Sequence, residues 1–128
     1  GDAKERDLLE KEILKYCIIK NIPIIGVCRG MQVIQDYFKI KLVKVYDQVL
    51  ENQKIIYKRR FINVNSFHEY GTFQNIDEFK VLAYSEEKLI KSIIHNDLPI
   101  MGLMWHPERF KKFKKIDIDL FVKMFQVK

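Results

Sequence analysis

The stretch Asn21 to Gln32, NIPIIGVCRGMQ, constrains the fold more than any other part of this chain. Its first half is a short, unbroken apolar run, the pattern of a strand buried on both faces as in a parallel sheet. A cysteine follows, with glycines two residues before and two after it. The sequence then resumes as MQVIQDYF, with Met31, Ile34, Tyr37 and Phe38 on one helical face. Upstream, ERDLLEKEILKYCIIK also reads as a helix, with Leu9, Ile13, Tyr16 and Cys17 as its apolar stripe. Asn21 can end that helix and Pro23 cannot continue it. Helix, strand and helix in that order are the unit of an α/β sheet.

The remaining segments fit such a sheet. RFINVN, FKVLAY, LIKSIIH and PIMGLM read as strands, with SEEK and HNDLP as connections. KLVKVY alternates only in part, and the polar YDQVLENQK reads as loop. IDIDLFVKMFQ is a candidate terminal helix with Asp117 near its start, where a carboxylate suits the helix dipole. The chain of 128 residues fits one domain, 1–128. No apolar run approaches the roughly 18 residues of a membrane span. Net charge is +6, but the lysines are spread out, and only KRR (Lys58 to Arg60) and KKFKK (Lys111 to Lys115) cluster. Without interleaved aromatic platforms, nucleic acid is not the expected partner. Two isolated cysteines, Cys17 and Cys28, suit a reducing cytoplasm, and Cys17 on the helix stripe reads as a packing thiol. No CxxC occurs and the three histidines are scattered, so neither a metal nor a cofactor is expected.

Cys28 asks for a different explanation from Cys17. A buried strand that turns sharply into a helix throws the turn residue into the open. G-V-C-R-G is the cysteine form of the G-x-S-x-G nucleophile elbow. The helix beyond it presents backbone N–H groups and a positive dipole end, both of which favour a thiolate. The N–H of Arg29 points to an oxyanion forming beside the sulfur. The candidate base is His106, in LMWHPERF, at the end of an apolar strand, where open α/β sheets bind ligands. Pro107 biases His106 toward an extended conformation. Glu108 then faces the same way about 6.6 Å along the strand, close enough to hold the imidazole tautomer. Cys28, His106 and Glu108 make nucleophile, base and orienter.

GVCRGMQ, WHPE and the VNSFH between them resemble class I glutamine amidotransferases, and within that superfamily the γ-glutamyl-γ-aminobutyrate hydrolase group. The likeness runs over nearly the whole chain. It implies a three-layer α/β sandwich with a mostly parallel, flavodoxin-like central sheet. It also implies a small-molecule γ-glutamyl substrate: Cys28 attacks the γ-carbonyl, His106 protonates the departing amine, and water releases glutamate from a thioester. By the same resemblance Gln32, Asn65, Ser66 and His68 are candidate substrate-binding residues. On the residues alone, Ser66 reads equally as a turn hydroxyl and His68 as a structural histidine.

Two departures from the family pattern stand out. The N-terminal strands, and a Gly-Gly loop that supplies a second oxyanion donor, are expected to be missing. In addition, Lys39 and Ile40 stand where relatives place a Gly-Gly pair after the elbow helix, so the turn there must be remade. Three readings follow: a free-standing γ-glutamyl hydrolase, possible as a homodimer; a glutaminase subunit feeding ammonia to a synthetase partner; or an inactive fragment or binding module.

Overall fold

The computed structural model describes residues 2–107. Helix α1, Asp2–Lys20, is followed by strand β1, Ile24–Val27, and helix α2, Arg29–Tyr37. Then come β2, Val43–Lys44; β3, Val49–Tyr57; β4, Arg60–Phe67; β5, Tyr70–Gly71; β6, Phe79–Ser85; β7, Ile90–His95; and β8, Ile100–Leu103. Six strands form one sheet in the order β1-β8-β7-β6-β3-β4, and β2 pairs with β5 in a small ribbon. The expected α/β class stands, but the sheet is mixed. Among the described strands β1 and β8 run parallel and the other pairings are antiparallel. The candidate terminal helix lies outside the described residues.

β8 shows why its sequence reads as an uninterrupted apolar run. Residues of β8 and the two that follow it alternate between two cores, because successive side chains in extended chain point to opposite faces. Ile100 and Met104 join Leu14, Met31, Ile34, Phe79 and Ile93 on the helical face. Met101, Leu103 and Trp105 join Ile55, Val64 and Leu82 on the other. Gly102 lies against α2, where an added Cβ would stand 2.6 Å from Met31 Cγ.

Helix α1 ends as its sequence predicts. Asn21 takes φ 56°, and the N–H groups of Asn21 and Ile22 return to the carbonyls of Ile18 and Cys17, a Schellman cap. Its packing face, however, differs from the predicted stripe. Leu9, Ile13 and Tyr16 are 53–61% exposed. Leu14 is the buried residue, with Cys17 and Ile18 half-buried beside it. Apolar residues occur nearly all round this helix, so periodicity does not select a side. Contacts with α2 and the core set it: Leu14 packs in the cluster of Met31 and Ile34, and at the surface Lys11 pairs with Asp36 at 2.6 Å and Glu10 with Arg29 at 3.2 Å.

The segment read as loop, YDQVLENQK, is corrected by β3, which covers Val49–Tyr57. Its polar residues are accommodated because Glu51, Asn52 and Lys54 face solvent, while the buried Gln53 donates to Gln48 Oε1 at 2.8 Å; the pairing with β4 carries a one-residue bulge between Leu50 and Gln53. The β3–β4 turn is the KRR cluster: Lys58 and Arg59 have φ of 46° and 68°, the two positive values of a type I′ hairpin. After α2, Lys39 simply adopts the left-handed conformation itself, at φ 64°. It makes a second Schellman cap with Ile40 buried behind it.

Candidate active site

The parallel register of β1 on β8 places Val27 beside Leu103. The chain leaves both strands at the same end, so Cys28 and His106 emerge side by side despite their separation in sequence. Cys28 is the elbow: φ is 52° and ψ −101°, immediately before the first residue of α2. A non-glycine residue there is strained, a conformation held only where its surroundings over-determine it. The backbone N–H of Cys28 donates to Leu103 O at 2.7 Å, and its carbonyl accepts from Gln32 N at 3.0 Å. The two flanking glycines have unequal roles. A Cβ on Gly26 would stand 2.6 Å from the Gly30 carbonyl carbon and 2.7 Å from Ile34 Cδ1, whereas a Cβ on Gly30 meets nothing within 4 Å.

A cavity of about 520 Å³ opens above the elbow, lined by Cys28, Arg29, Gln32, Phe67, His68 and His106 among others. Cys28 and His106, the candidate nucleophile and base, therefore share one space. His106 is half-buried, and its main chain is clamped by one side chain: its N–H donates to Asn65 Oδ1 at 2.7 Å and its carbonyl accepts from Asn65 Nδ2 at 2.9 Å. Asn65 belongs to β4, at the far end of the sheet order, so the sheet must curl for this contact to exist. Glu108, the expected orienter, lies outside the described residues.

The candidate binding residues divide. Gln32 and His68 line the cavity; Asn65 and Ser66 are not among its lining residues. Ser66 is fully buried, donating to Gln48 O and accepting from Lys91 Nζ at 3.0 Å. His68 Nδ1 lies 2.8 Å from Tyr70 O. A carbonyl only accepts, so that nitrogen carries the proton and Nε2 is the bare acceptor. Nε2 takes a hydrogen bond from Lys91 Nζ at 2.7 Å. Both ring nitrogens of His68 thus bond inside the protein. Burial, reinforced by the Lys91 charge and opposed by the Tyr70 bond, holds the imidazole neutral down to about 4. Gln32 Nε2 donates to the same Tyr70 carbonyl at 3.0 Å. Arg29, whose N–H is the expected oxyanion donor, opens α2 and anchors its guanidinium on Glu10.

Lys91 was not among the sequence-derived candidates. The signal was present: a lone lysine inside LIKSII, an otherwise apolar strand. Among the described residues no group of three or more His, Cys, Asp or Glu side chains converges as a metal site would require.

Comparison with known proteins agrees with this geometry. The family model of class I glutamine amidotransferases matches residues 4–118. The chain is 31% identical over 116 residues to γ-glutamyl-CDP-amidate hydrolase of Campylobacter jejuni, covering 91% of this chain and 58% of that protein. The chain belongs to the class I glutamine amidotransferase family. A second amidotransferase relative is a glutamine-hydrolysing GMP synthase component of Pyrococcus abyssi, 34% identical over 97 residues, covering 69% of this chain and 52% of that protein. This chain thus spans between a half and three fifths of the length of these two relatives. Among solved structures, a glutamine amidotransferase of Thermotoga maritima shares the fold at TM-score 0.67 and 19% identity, over 97% of this chain and 55% of that one. A Thermoplasma acidophilum protein does so at TM-score 0.77 and 23% identity, over 92% of this chain and 63% of that one. The sequence-level likeness to class I amidotransferases therefore holds. No helix among the described residues is long and apolar enough to cross a membrane.

Proposed function

We propose that this protein hydrolyses a γ-glutamyl amide bond through Cys28. The observation that supports this reading best is the shared cavity: the elbow cysteine and His106 open into it from the ends of adjacent parallel strands. Cys28 attacks the γ-carbonyl, and the oxyanion is held by backbone N–H groups at the start of α2, that of Arg29 included. His106 protonates the leaving nitrogen, the C–N bond breaks, and a thioester remains. Water, deprotonated by His106, then releases glutamate and restores the thiolate. Glu108 is the proposed orienter of His106, and Gln32 the proposed contact to the γ-glutamyl portion. The Campylobacter relative is named for a γ-glutamyl-CDP-amidate, and with a basic chain this favours a leaving group that carries phosphate. Both cysteines are free thiols, in keeping with a reducing, cytoplasmic location.

The test is intact mass with peptide mapping after exposure to an electrophilic glutamine analogue, with Cys17 as internal control. Adduct on Cys28 alone, lost on His106→Ala, is the expected result. Equal labelling of both cysteines, or none, overturns the reading in favour of a non-catalytic module. His106→Ala is expected to lower turnover at least about 10²-fold. A second reading, ammonia delivery to a synthetase partner, rests on the GMP synthase relative. Turnover of glutamine alone, and only with a partner present, would favour it. Turnover of γ-glutamyl phosphoramidates without a partner would exclude it.

A further inference from the structure

Lys91 stands where chemistry disfavours a lysine. It lies within β7 between Ile90 and Ser92, and no part of it is exposed. A buried ammonium persists only where it is hydrogen-bonded and its charge is answered. Its hydrogen bonds go to Ser66 Oγ and His68 Nε2, and both partners are neutral. The charge must be answered elsewhere. Burial pushes the Lys91 ammonium down to about 7, while the charges of Cys28 and Glu87 push the other way. Glu87 belongs to the exposed turn between β6 and β7. Cys28 is the buried one of the two.

The fold brings these groups to one end of the sheet. The carbonyl of Lys91 accepts from Met104 N at 2.7 Å, and the preceding residue, Leu103, holds the N–H of Cys28. His68 presents its ring to the cavity that Cys28 lines and holds Lys91 behind it.

We propose that Lys91 is a positioning residue of this site: its buried ammonium, braced by Ser66 and His68, is the positive charge that favours the Cys28 thiolate, and the thiolate in turn favours the ammonium. A helix N-terminus alone is a partial charge. A full charge in a water-poor interior acts more strongly on the sulfur. The titratable groups around Lys91 are Cys28 from the elbow, His68 from the loop after β4, Glu87 from the β6–β7 turn, and His106 across the cavity. His68 stays neutral and Glu87 stays ionised near neutrality. Lys91 and Cys28 are coupled through the charge each places on the other, so their titrations are linked. The inference rests on Cys28 being the nucleophile of the proposed function, but not on any particular substrate.

The experiment is the rate of Cys28 alkylation by iodoacetamide against pH, read by peptide mapping with Cys17 as reference. Lys91→Met is expected to raise the Cys28 midpoint by about 1–2 pH units, a tenfold or greater loss of rate on the acid side, with Cys17 unchanged. Should Lys91→Met fail to fold, the native protein supplies the reciprocal measurement. Capping Cys28 with iodoacetamide removes the sulfur's charge, and the titration of the buried lysine, followed by ¹³Cε NMR, moves to lower pH. An unchanged Cys28 midpoint in folded Lys91→Met, or a lysine titration indifferent to capping, overturns the proposal. Neither readout uses a γ-glutamyl compound. A Lys91-dependent thiolate that ignores the glutamine analogue therefore removes the proposed function and leaves only the coupling of Lys91 to Cys28, so the two failures are told apart.

Discussion

Asn65 holds both main-chain groups of His106, so a single amide sets where the proposed base stands. Asn65→Ala removes both bonds at a half-buried segment, which is expected to lower stability by about 1–3 kcal/mol. It also frees His106 to shift, and a displacement on the order of 1 Å in such a site costs about 10²-fold in rate. Asn65→Asp keeps the acceptor for the His106 N–H and loses the donor, so its activity should fall between the two. Steady-state kinetics with a thermal melt checks both variants. His68 carries a separate expectation. Its folded-state pKa is depressed from 6.5 to about 4, so the unfolded chain binds the extra proton first as the solution is acidified. Stability from this residue is complete above about 6.5 and declines as pH falls toward 4, by on the order of 2–3 kcal/mol. Urea titrations across that window should show the decline, and His68→Gln should flatten it.

At the level of elements, the two elbow glycines should behave oppositely. Gly26→Ala drives a methyl into the Gly30 backbone, prising α2 from β1, and is expected to destabilise by about 1–3 kcal/mol and to abolish Cys28 labelling. Gly30→Ala points into open space within a helix and is expected to be neutral or stabilising by up to about 1 kcal/mol. Denaturant midpoints decide both. The turns carry a related expectation. Each positive-φ position among the described residues is non-glycine. Lys39→Gly, and the pair Lys58→Asn with Arg59→Gly, should therefore each raise the melting temperature, because the left-handed conformation costs an ordinary side chain about 1–2 kcal/mol. That same feature limited what could be read from the sequence. The strand–elbow–helix unit was legible because an apolar run, a cysteine between glycines and a 3.6-residue period coincide in it. Strands β4, β6, β7 and β8 were legible from apolar alternation or continuity. β3 was not, since most of its polar residues face solvent and its hairpin turns on Lys-Arg rather than on Asn-Gly. The packing side of α1 was not legible either: apolar residues lie nearly all round it, and its face is set by contacts with α2 and the core around Leu14.

For the molecule as a whole, Cys28 and His106 were legible because each ends an apolar strand. The sheet's curl, which carries Asn65 of β4 to His106, depends on a bulge and on long-range pairing that no local pattern encodes. Lys91, Ser66 and His68 likewise meet only once β4 and β7 are in place. The site is therefore a property of the assembled sheet. Selective labelling of Cys28 over Cys17 should vanish at the same denaturant concentration at which far-ultraviolet circular dichroism is lost. Labelling that survives past that midpoint would place the reactivity in the local elbow alone. The pairing of β1 with β8 also has a consequence in time. β1 leaves the ribosome before β8, so the elbow cysteine emerges before its parallel neighbour, its proposed base and the buried lysine. Until β8 has been made the elbow carries an ordinary thiol, and the reactive thiol proposed for it would be switched on by completion of the sheet.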